Sequence, residues 1–446
     1  MASVLKQRGL QLKKQMQVLL SQSIKLSSVK NEPYILKSVY EDIPPVNCTI
    51  NDFVWQNLDR WPDKTAVVCA ATGHGYTYAQ THRMSISFAA SLRTKLKLKN
   101  DDTVAIILPN VPEYPCTILG VLEAGCIASM MNPAYTALIL IDNDGLPEGV
   151  IKFAEFAEDM SIDTDCLKSV QRSKKDIAIL PFSSGTTGFA KAVVLTHQSV
   201  VAMNQMINNP EIIAVDEATD KYQCAVPAVL PFFHIFGFNA VMMNLMTRGS
   251  KLITFSKFNP ELFLKTIVQQ RAEHLYIVPP MVVFLGKHPA VTGEYLQSVR
   301  GIISGAAPLS ESDAAAVLKK NKNIFFRQGY GLTETNGGVS VGRKTDVNHA
   351  TVGYMFGSCA AKIVDVNTQE ALGPGKVIIG VPDDVTGEAP KAFVVTQTDI
   401  TTDEIKQYVN KQLVDFKHIK EVQFVEEIPK NPAGKILRKD LKAKYC

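Results

Sequence analysis

The chain has 446 residues, more than a single hydrophobic core usually contains, so two or more domains are expected. Its 47 basic and 43 acidic residues leave a net charge of +4, spread along the chain, which gives no footprint for a nucleic-acid partner. The eight cysteines are scattered without a CxxC pair, which argues against a disulfide framework or zinc site and favours reduced thiols inside a cell.

The chain termini carry weak signals about location. Residues 1–31 contain six Lys or Arg, five Ser and no acidic residue, which is typical of a mitochondrial transit peptide and equally of a solvated basic helix or tail. The C-terminal Lys444-Tyr445-Cys446 is not a peroxisomal Ser-Lys-Leu signal. The most apolar stretch, residues 232–246, is too short and polar for a transmembrane segment. We therefore expect an intracellular protein, cytoplasmic or mitochondrial.

Helix-like and strand-like runs alternate over most of the chain. The first series comprises a helix at 53–59, a strand at 66–70, a helix at 78–96, a strand at 104–108 and a helix at 113–124. The alternation resumes at Ile177 and continues to the turn at 302–308. This pattern predicts an α/β fold of layered sheets and helices.

The character of the sequence changes after Gly375. Strands are predicted at 377–381, 392–396 and 421–425, and Thr401 with Glu404 forms a capping-box pair that opens a helix. The last 70 residues therefore predict a small separate α+β domain.

The segment Ser183 to Lys191, SSGTTGFAK, is the most informative in the chain. Its glycines allow the backbone to approach a ligand closely, and its hydroxyls and Lys191 add donors and positive charge. This composition predicts a phosphate-binding loop between two strands, although it differs from the Walker A spacing. An ordinary Gly/Ser/Thr hairpin turn is the alternative.

Three further segments carry candidate functional side chains. His234 lies among aromatic residues in PFFHIFG, Glu334 lies between threonines in QGYGLTET, and Lys435 lies on a Pro/Gly loop in NPAGK. Taken singly, His234 could be a partly buried core residue, Glu334 a solvated helix cap and Lys435 an ordinary surface cation.

Together and in this order, these segments resemble the adenylate-forming acyl- and aryl-CoA synthetases, and in particular the 4-coumarate–CoA ligase-like branch. NPAY at 132–135, VPP at 278–280 and SGAAPL at 304–309 extend the resemblance over nearly everything from residue 50 to 446. The resemblance implies a large N-terminal adenylation domain (34–376) and a small C-terminal domain (377–446), after a basic extension at 1–33.

The resemblance also implies roles for individual residues. The ATP phosphates would be held by Ser183, Ser184, Gly185, Thr186, Thr187 and Lys191. The adenine and acyl-adenylate site would be lined by Ala306, Gln328, Gly329 and Thr333. Glu334 would bind Mg²⁺, His234 and Phe236 would wall the acyl pocket, and Lys257 would contact CoA. The catalytic residues would be Lys435, Thr186, Glu334 and His234.

The chain departs from the family pattern at three places. The usual Pro-Lys-Gly of the loop is Ala190-Lys191-Ala192, and a β/α unit is missing near 137–140. Residue 376 runs directly into 377, without the intervening segment that carries the ribose-binding aspartate, the hinge and a Lys-Gly pair. Two lost charged contacts to ribose, worth roughly 1.5–3 kcal/mol each, predict much weaker ATP binding.

The main functional hypothesis is an ATP- and Mg²⁺-dependent acid–CoA ligase that joins a carboxylic acid to CoA through an acyl-adenylate. The alternative is a catalytically impaired paralogue or isoform that binds nucleotide or acyl groups. A luciferase-like oxygenase, which shares the first half-reaction, is a third possibility.

Overall fold

The computed structural model describes residues 35–133, 152–183, 191–349, 351–362, 391–395, 401–410 and 421–427. In these ranges the strands are β1 (Leu36–Lys37), β2 (Thr65–Cys69), β3 (Gly75–Thr77), β4 (Thr103–Ile106), β5 (Ile127–Met130), β6 (Ile177–Ser183), β7 (Lys191–Ala192), β8 (Leu195–Thr196), β9 (Ala225–Ala228), β10 (Lys251–Thr254), β11 (His274–Ile277), β12 (Gly301–Ser304), β13 (Phe325–Tyr330), β14 (Ser340–Val341), β15 (Tyr354–Met355), β16 (Ala360–Ala361), β17 (Lys391–Val394) and β18 (Glu421–Phe424).

The α-helices of the same ranges span Ile50–Trp55, Tyr78–Thr94, Glu113–Glu123, Phe153–Ala157, His197–Ile207, Asn244–Met246, Pro260–Gln269, Pro279–Lys287, Glu311–Leu318 and Thr402–Asn410. A π-helix runs over Phe236–Met243, and short 3₁₀ helices cover Leu58–Arg60, Asp165–Ser169, Gly293–Leu296 and Thr333–Thr335. The predicted alternation of helices and strands from residue 53 to 124 is confirmed, with element ends shifted by a few residues. The turn predicted at 302–308 instead begins in strand β12, and the strand predicted at 377–381 lies outside the described ranges.

Three sheets form the body of the fold. The first has the order β4-β5-β6-β7, parallel from β4 to β6, with β8 also paired to β6. The second has the order β3-β2-β10-β9, in which β2, β10 and β9 are parallel. The third begins with parallel β11-β12-β13 and ends with antiparallel β14 and β15. Helices connect the parallel strands, as parallel pairing requires.

Local sequence signals explain where several helices begin. Thr77 accepts a hydrogen bond from Gln80 N through Oγ1 at 3.2 Å, and Gln80 Oε1 accepts from Thr77 N at 2.8 Å. This capping box starts the helix Tyr78–Thr94. Asn259 caps the helix Pro260–Gln269 by accepting from Leu262 N at 2.8 Å, with proline in the first turn where its missing N–H has no cost.

The main core lies between the first two sheets and their helices. The helix Glu113–Glu123 is buried on nearly every side, so apolar residues occupy all of its faces rather than one stripe. At its end Glu123 forms a two-pronged ion pair with Arg172, with N–O distances of 2.7 and 2.9 Å. A second core packs Pro260–Gln269, Pro279–Lys287 and Glu311–Leu318 against the third sheet.

The described chain divides into two compact units. In one of them β1 pairs antiparallel with β16, and the other contains every remaining described element. Within the larger unit, β17 and β18 pair in parallel next to the helix Thr402–Asn410. The predicted capping box is confirmed, since Glu404 accepts from Thr401 N at 2.8 Å and Thr401 accepts from Glu404 N at 3.3 Å.

The domain boundaries at 33 and 376 and the missing segments stay predictions, because residues 1–34, 134–151 and 363–390 lie outside the described ranges. The seven cysteines of the described ranges are free thiols. Among the described helices, none combines the length and the apolar composition that a membrane span needs.

Candidate active site

A cavity of about 440 Å³ lies at the carboxyl ends of parallel strands from the three sheets. Asn132 follows β5, Ser183 ends β6, and Ala306 follows β12, and all three line the cavity. Ligands of open α/β sheets bind at this position because the loops that leave the strand ends are free to vary. The cavity is therefore the candidate active site.

The cavity floor is a row of side chains across the third sheet. Tyr276, Ile303 and Arg327 are register partners on β11, β12 and β13, and all three line the cavity. Side chains alternate between the two faces of a strand, so Gly329 shares this face and Gln328 points to the opposite one. The Nε2 of Gln328 donates to the carbonyl of Leu309 at 3.1 Å and also to that of His349. Gln328, predicted to line the site, therefore lies behind its wall and is buried.

His234 and Phe236 line the cavity from the turn that follows β9. Gly237 is required in this turn because a Cβ atom there would overlap the carbonyl oxygen of Pro231. His234 N donates to that carbonyl at 3.0 Å, and the His234 Nδ1 accepts from Phe236 N at 3.4 Å.

Asn110 holds this turn in place and was not among the residues predicted from the sequence. Its Nδ2 donates to the carbonyls of Ala228 and Leu230 at 2.8 and 2.7 Å, and its Oδ1 accepts from Phe232 N at 2.8 Å. The side chain is buried, and these three bonds tie the end of β9 to the segment after β4. In the sequence, only the position of Pro109-Asn110 directly after a predicted strand indicated a turn at which Asn110 could act.

Thr333 and Glu334 line the cavity from a 3₁₀ turn after β13. Gly331 precedes the turn, and a Cβ atom there would overlap the carbonyl oxygen of Gly337. Asn336 closes the turn with a left-handed φ of 56°, and its carbonyl accepts from Asn239 Nδ2 at 2.9 Å. The Glu334 side chain is exposed at this position.

Lys191 and Ser183 lie opposite each other at the two ends of the predicted phosphate loop. They are register partners in the antiparallel pair of β6 and β7, and both line the cavity. Ser184, Gly185, Thr186 and Thr187 lie outside the described residues, as does Lys435. Lys257, predicted to contact CoA, is exposed and is not part of the cavity lining.

Ala306 lines the cavity with a φ of 72°, a left-handed conformation that residues with a Cβ rarely adopt. Strain of this kind is found at functional sites, where the surrounding structure holds it. The predicted residues Ser183, Lys191, His234, Phe236, Ala306, Gly329, Thr333 and Glu334 are thus brought together in one cavity.

The donor set of the cavity fits a magnesium–nucleotide better than a metal held by protein alone. No group of three or more His, Cys, Asp or Glu side chains able to hold a metal exists within the described ranges. Glu334 is a single exposed carboxylate, and Mg²⁺ is commonly bound by one or two carboxylates together with substrate phosphates. Lys191 and Ser183 supply a cation and a hydroxyl suited to phosphate oxygens.

A fold of parallel sheets with this cavity at their carboxyl ends is that of the adenylate-forming enzymes. The anthranilate CoA ligase AuaEII in complex with anthranoyl-AMP superposes with a TM-score of 0.77 at 17% identity, covering 90% of this chain and 98% of that one. ATP-bound MatB from Rhodopseudomonas palustris gives 0.73 at 20% identity, covering 90% and 99%.

The chain belongs to the family of AMP-binding enzymes. The family profile matches residues 54–140 and 138–382, and the profile of the AMP-binding enzyme C-terminal domain matches 377–435. Similar proteins include 4-coumarate–CoA ligase 1 of Arabidopsis thaliana, 28% identical over 95% of this chain and 97% of that one. The 4-coumarate:CoA ligase 1 of Petunia hybrida is 28% identical over 92% and 97%. The predicted family and fold are confirmed, and the chain is an acid–CoA ligase by resemblance.

These alignments are longer than the chain itself. The alignment to the Arabidopsis ligase spans 550 positions, whereas this chain has 446 residues. The chain therefore lacks segments that its relatives contain while spanning nearly their whole length.

Proposed function

We propose that this chain activates a carboxylic acid with ATP as an acyl-adenylate, releases pyrophosphate, and transfers the acyl group to the thiol of CoA. The observation that carries the proposal is the single cavity that brings Ser183 and Lys191 together with His234, Thr333 and Glu334. The 4-coumarate–CoA ligases among its relatives make an aromatic acid one candidate substrate.

The chemistry needs positive charge more than proton transfer. In the first half-reaction a carboxylate attacks the α-phosphate of ATP, so two anions must approach each other. Lys191 and the Ser183 hydroxyl line the cavity, and in this proposal they hold the phosphates while Lys435 neutralises the reacting oxygens. Mg²⁺, which we propose Glu334 holds together with phosphate oxygens, would supply further neutralisation when bound.

The apolar part of the cavity would hold the acid. Phe236 and His234 line this region with Ile303, and their turn is fixed by the three hydrogen bonds of Asn110. Exclusion of water by these side chains would protect the mixed anhydride from hydrolysis before the thiol attacks it. CoA contact by Lys257 remains a proposal that rests on the sequence motif.

Pyrophosphate release tests the proposal directly. The purified chain would be incubated with ATP, Mg²⁺ and a panel of aryl and fatty acids, with and without CoA. We expect acid-dependent pyrophosphate release that Lys435→Ala and Glu334→Gln reduce by roughly 10²-fold or more. Lys257→Ala should lower thioester formation while adenylation continues. Pyrophosphate release by the unaltered chain no faster than by Lys435→Ala, for every acid, would contradict the ligase proposal.

Binding without turnover is the second candidate function, and the missing Thr-Gly-Asp and hinge segments favour it. In that case ATP or an acyl-adenylate analogue would raise the melting temperature of the chain although no pyrophosphate forms. We also propose an intracellular location, cytoplasmic or mitochondrial, which fits free thiols such as those of the described cysteines. Cell fractionation would test the location.

A further inference from the structure

Arg327 is a buried cation in the floor of the cavity. The residue is only 4% exposed, and its Nη1 donates to the carbonyl oxygen of Ile212 at 2.6 Å. The guanidinium carbon lies 5.2 Å from the centre of the Phe325 ring. The Nε atom has no hydrogen-bond partner in the part of the chain that the structure describes.

The charge of Arg327 has no direct counter-ion among the described residues. No carboxylate of those ranges lies within 4.0 Å of its guanidinium nitrogens. The charge of Asp346 acts on Arg327 only from beyond ion-pair distance, and Lys344 adds a further positive charge nearby. Burial lowers the pKa of Arg327, yet an arginine remains protonated at neutral pH. A buried cation without a partner is costly, so a structural role alone explains this residue poorly.

The position of Arg327 assigns it to the far end of the bound acid. It lies three residues before Tyr330, where β13 ends, which corresponds to about 10 Å along the strand. The candidate phosphate and magnesium residues follow the strand ends, whereas the neighbours of Arg327 in the floor are Ile303 and Tyr276. An acid whose carboxylate reacts at the strand ends would therefore extend toward Arg327 through apolar surroundings.

We propose that Arg327 selects acids that carry a second carboxylate at the end remote from the reacting one. A carboxylate matches the planar guanidinium and supplies the missing negative charge, and the apolar walls suit the carbon chain between the two groups. This inference rests on the proposed function for the identity of the reacting end. The inference concerns the remote carboxylate of the substrate, whereas the proposed function concerns the reacting one.

Equilibrium binding tests the inference without requiring turnover. Titration calorimetry with the full chain would compare α,ω-dicarboxylic acids of about six to ten carbons with the monocarboxylic acids of equal length, a range set by the ~10 Å depth of the floor. Since a hydrogen bond to a charged group is worth roughly 1.5–3 kcal/mol, the dicarboxylic acid should bind about 10- to 100-fold more tightly. Arg327→Gln should abolish this preference, so that the two acids bind the variant equally, whereas Arg327→Lys should retain part of the preference.

Arg343→Gln is the matched control. This arginine stacks on the Tyr354 ring at 4.4 Å and is not part of the cavity lining, so its loss should leave the preference intact. Equal binding of the two acids to the unaltered chain, binding of neither, or a preference that survives in Arg327→Gln would overturn the inference. If Arg327→Gln fails to fold because it loses the bond to Ile212, loss of part of the preference in Arg327→Lys decides the question.

The same acids in the pyrophosphate assay separate the two proposals. An Arg327-dependent preference in binding, without pyrophosphate release, would contradict the ligase proposal and support the role of Arg327. Pyrophosphate release that is equally fast with both acids would support the ligase and contradict the role of Arg327.

Discussion

The first and third sheets both contribute to the cavity, but their strands are covered to different degrees. In the third sheet β11 and β12 are buried at every position, with helices packed against them. In the first sheet β5 is equally buried, whereas Thr103 and Ala105 of β4 are exposed. Within the described ranges β4 pairs only with β5, so it forms the edge of its sheet.

The two sheets, which differ in how fully their strands are covered, supply different parts of the proposed active site. The third sheet supplies the floor with Arg327, and the first supplies Ser183 and Lys191 at the ends of the loop. A sheet that lacks a strand must pair differently or leave an edge exposed, so the missing β/α unit near 137–140 stays a prediction that the exposure of β4 neither tests nor requires. We therefore expect the floor to be the more rigid half of the site and the phosphate half to tolerate more change.

Gly331→Ala, at the cavity end of the third sheet, should strongly destabilise the fold. The new Cβ atom would overlap the carbonyl oxygen of Gly337, and neither backbone segment can move without opening the Thr333–Thr335 turn. We expect a loss of about 3 kcal/mol in the free energy of unfolding, measured by urea denaturation.

Gly73→Ala is the control for this substitution. Gly73 has a φ of 73° but nothing within 4 Å of its Cβ position, so only backbone strain of about 1–2 kcal/mol should appear. Equal losses at Gly331 and Gly73 would show that the turn at the cavity can relax, which would contradict a rigid floor.

Much of the fold could be predicted from local patterns. Thr401 with Glu404 marked a helix start because a capping box is local, and β2 and β4 could be predicted as strands because they are short apolar runs. The turn predicted at 302–308 is wrong at its start, where Ile302 to Ser304 belong to β12. The exposure of β4 could not be predicted from its own residues, since it depends on what lies beside it in the sheet.

Truncating one residue in β12 and one in β4 tests whether the two strands differ in burial. Ile302 in β12 is fully buried, and Ile302→Ala should cost about 2–5 kcal/mol in the free energy of unfolding because it leaves a cavity. Val104 in β4 is half-buried, so Val104→Ala should cost about 1 kcal/mol or less. Urea denaturation measures both, and comparable losses would mean that β4 is covered as fully as β12.

The site residues that sequence reasoning found are those that motifs carry. Glu334 and His234 lie in segments whose order along the chain is distinctive, whereas Asn110 and Arg327 act through contacts more than 100 residues away in sequence. Gln328 was placed in the site by its motif. Because side chains alternate along β13, Gln328 lies on the face of the strand opposite Arg327. The motif by itself carries no information about which face a residue occupies.

Two buried histidines should make the stability depend on pH: His197 beside the first sheet and His274 in the third. Burial, followed by the charge of Arg172, lowers the pKa of His197 to about 4, and burial, followed by Arg300 and Arg327, lowers that of His274 to about 3. Both values lie below the ordinary 6.5, so the unfolded chain takes up protons that the folded chain does not. The stabilisation that comes from keeping the two histidines neutral is therefore fully present above pH 6.5. As the pH drops toward 4, the free energy of unfolding falls by up to about 1.4 kcal/mol per pH unit for each histidine.

Leucine substitutions at the two positions should differ in stability at pH 7 but remove equal shares of the pH dependence. His197→Leu leaves Ile50 N without its acceptor, 3.1 Å away, and should cost about 1–3 kcal/mol at pH 7. His274→Leu removes an Nδ1 that has no partner within the described ranges, so stability at pH 7 should be unchanged or slightly higher. Each variant should lose about 2 kcal/mol less than the unaltered chain between pH 7 and pH 5. An undiminished pH dependence in His274→Leu, measured by urea denaturation at the two pH values, would show that His274 is solvated and the third sheet less completely covered than the structure indicates.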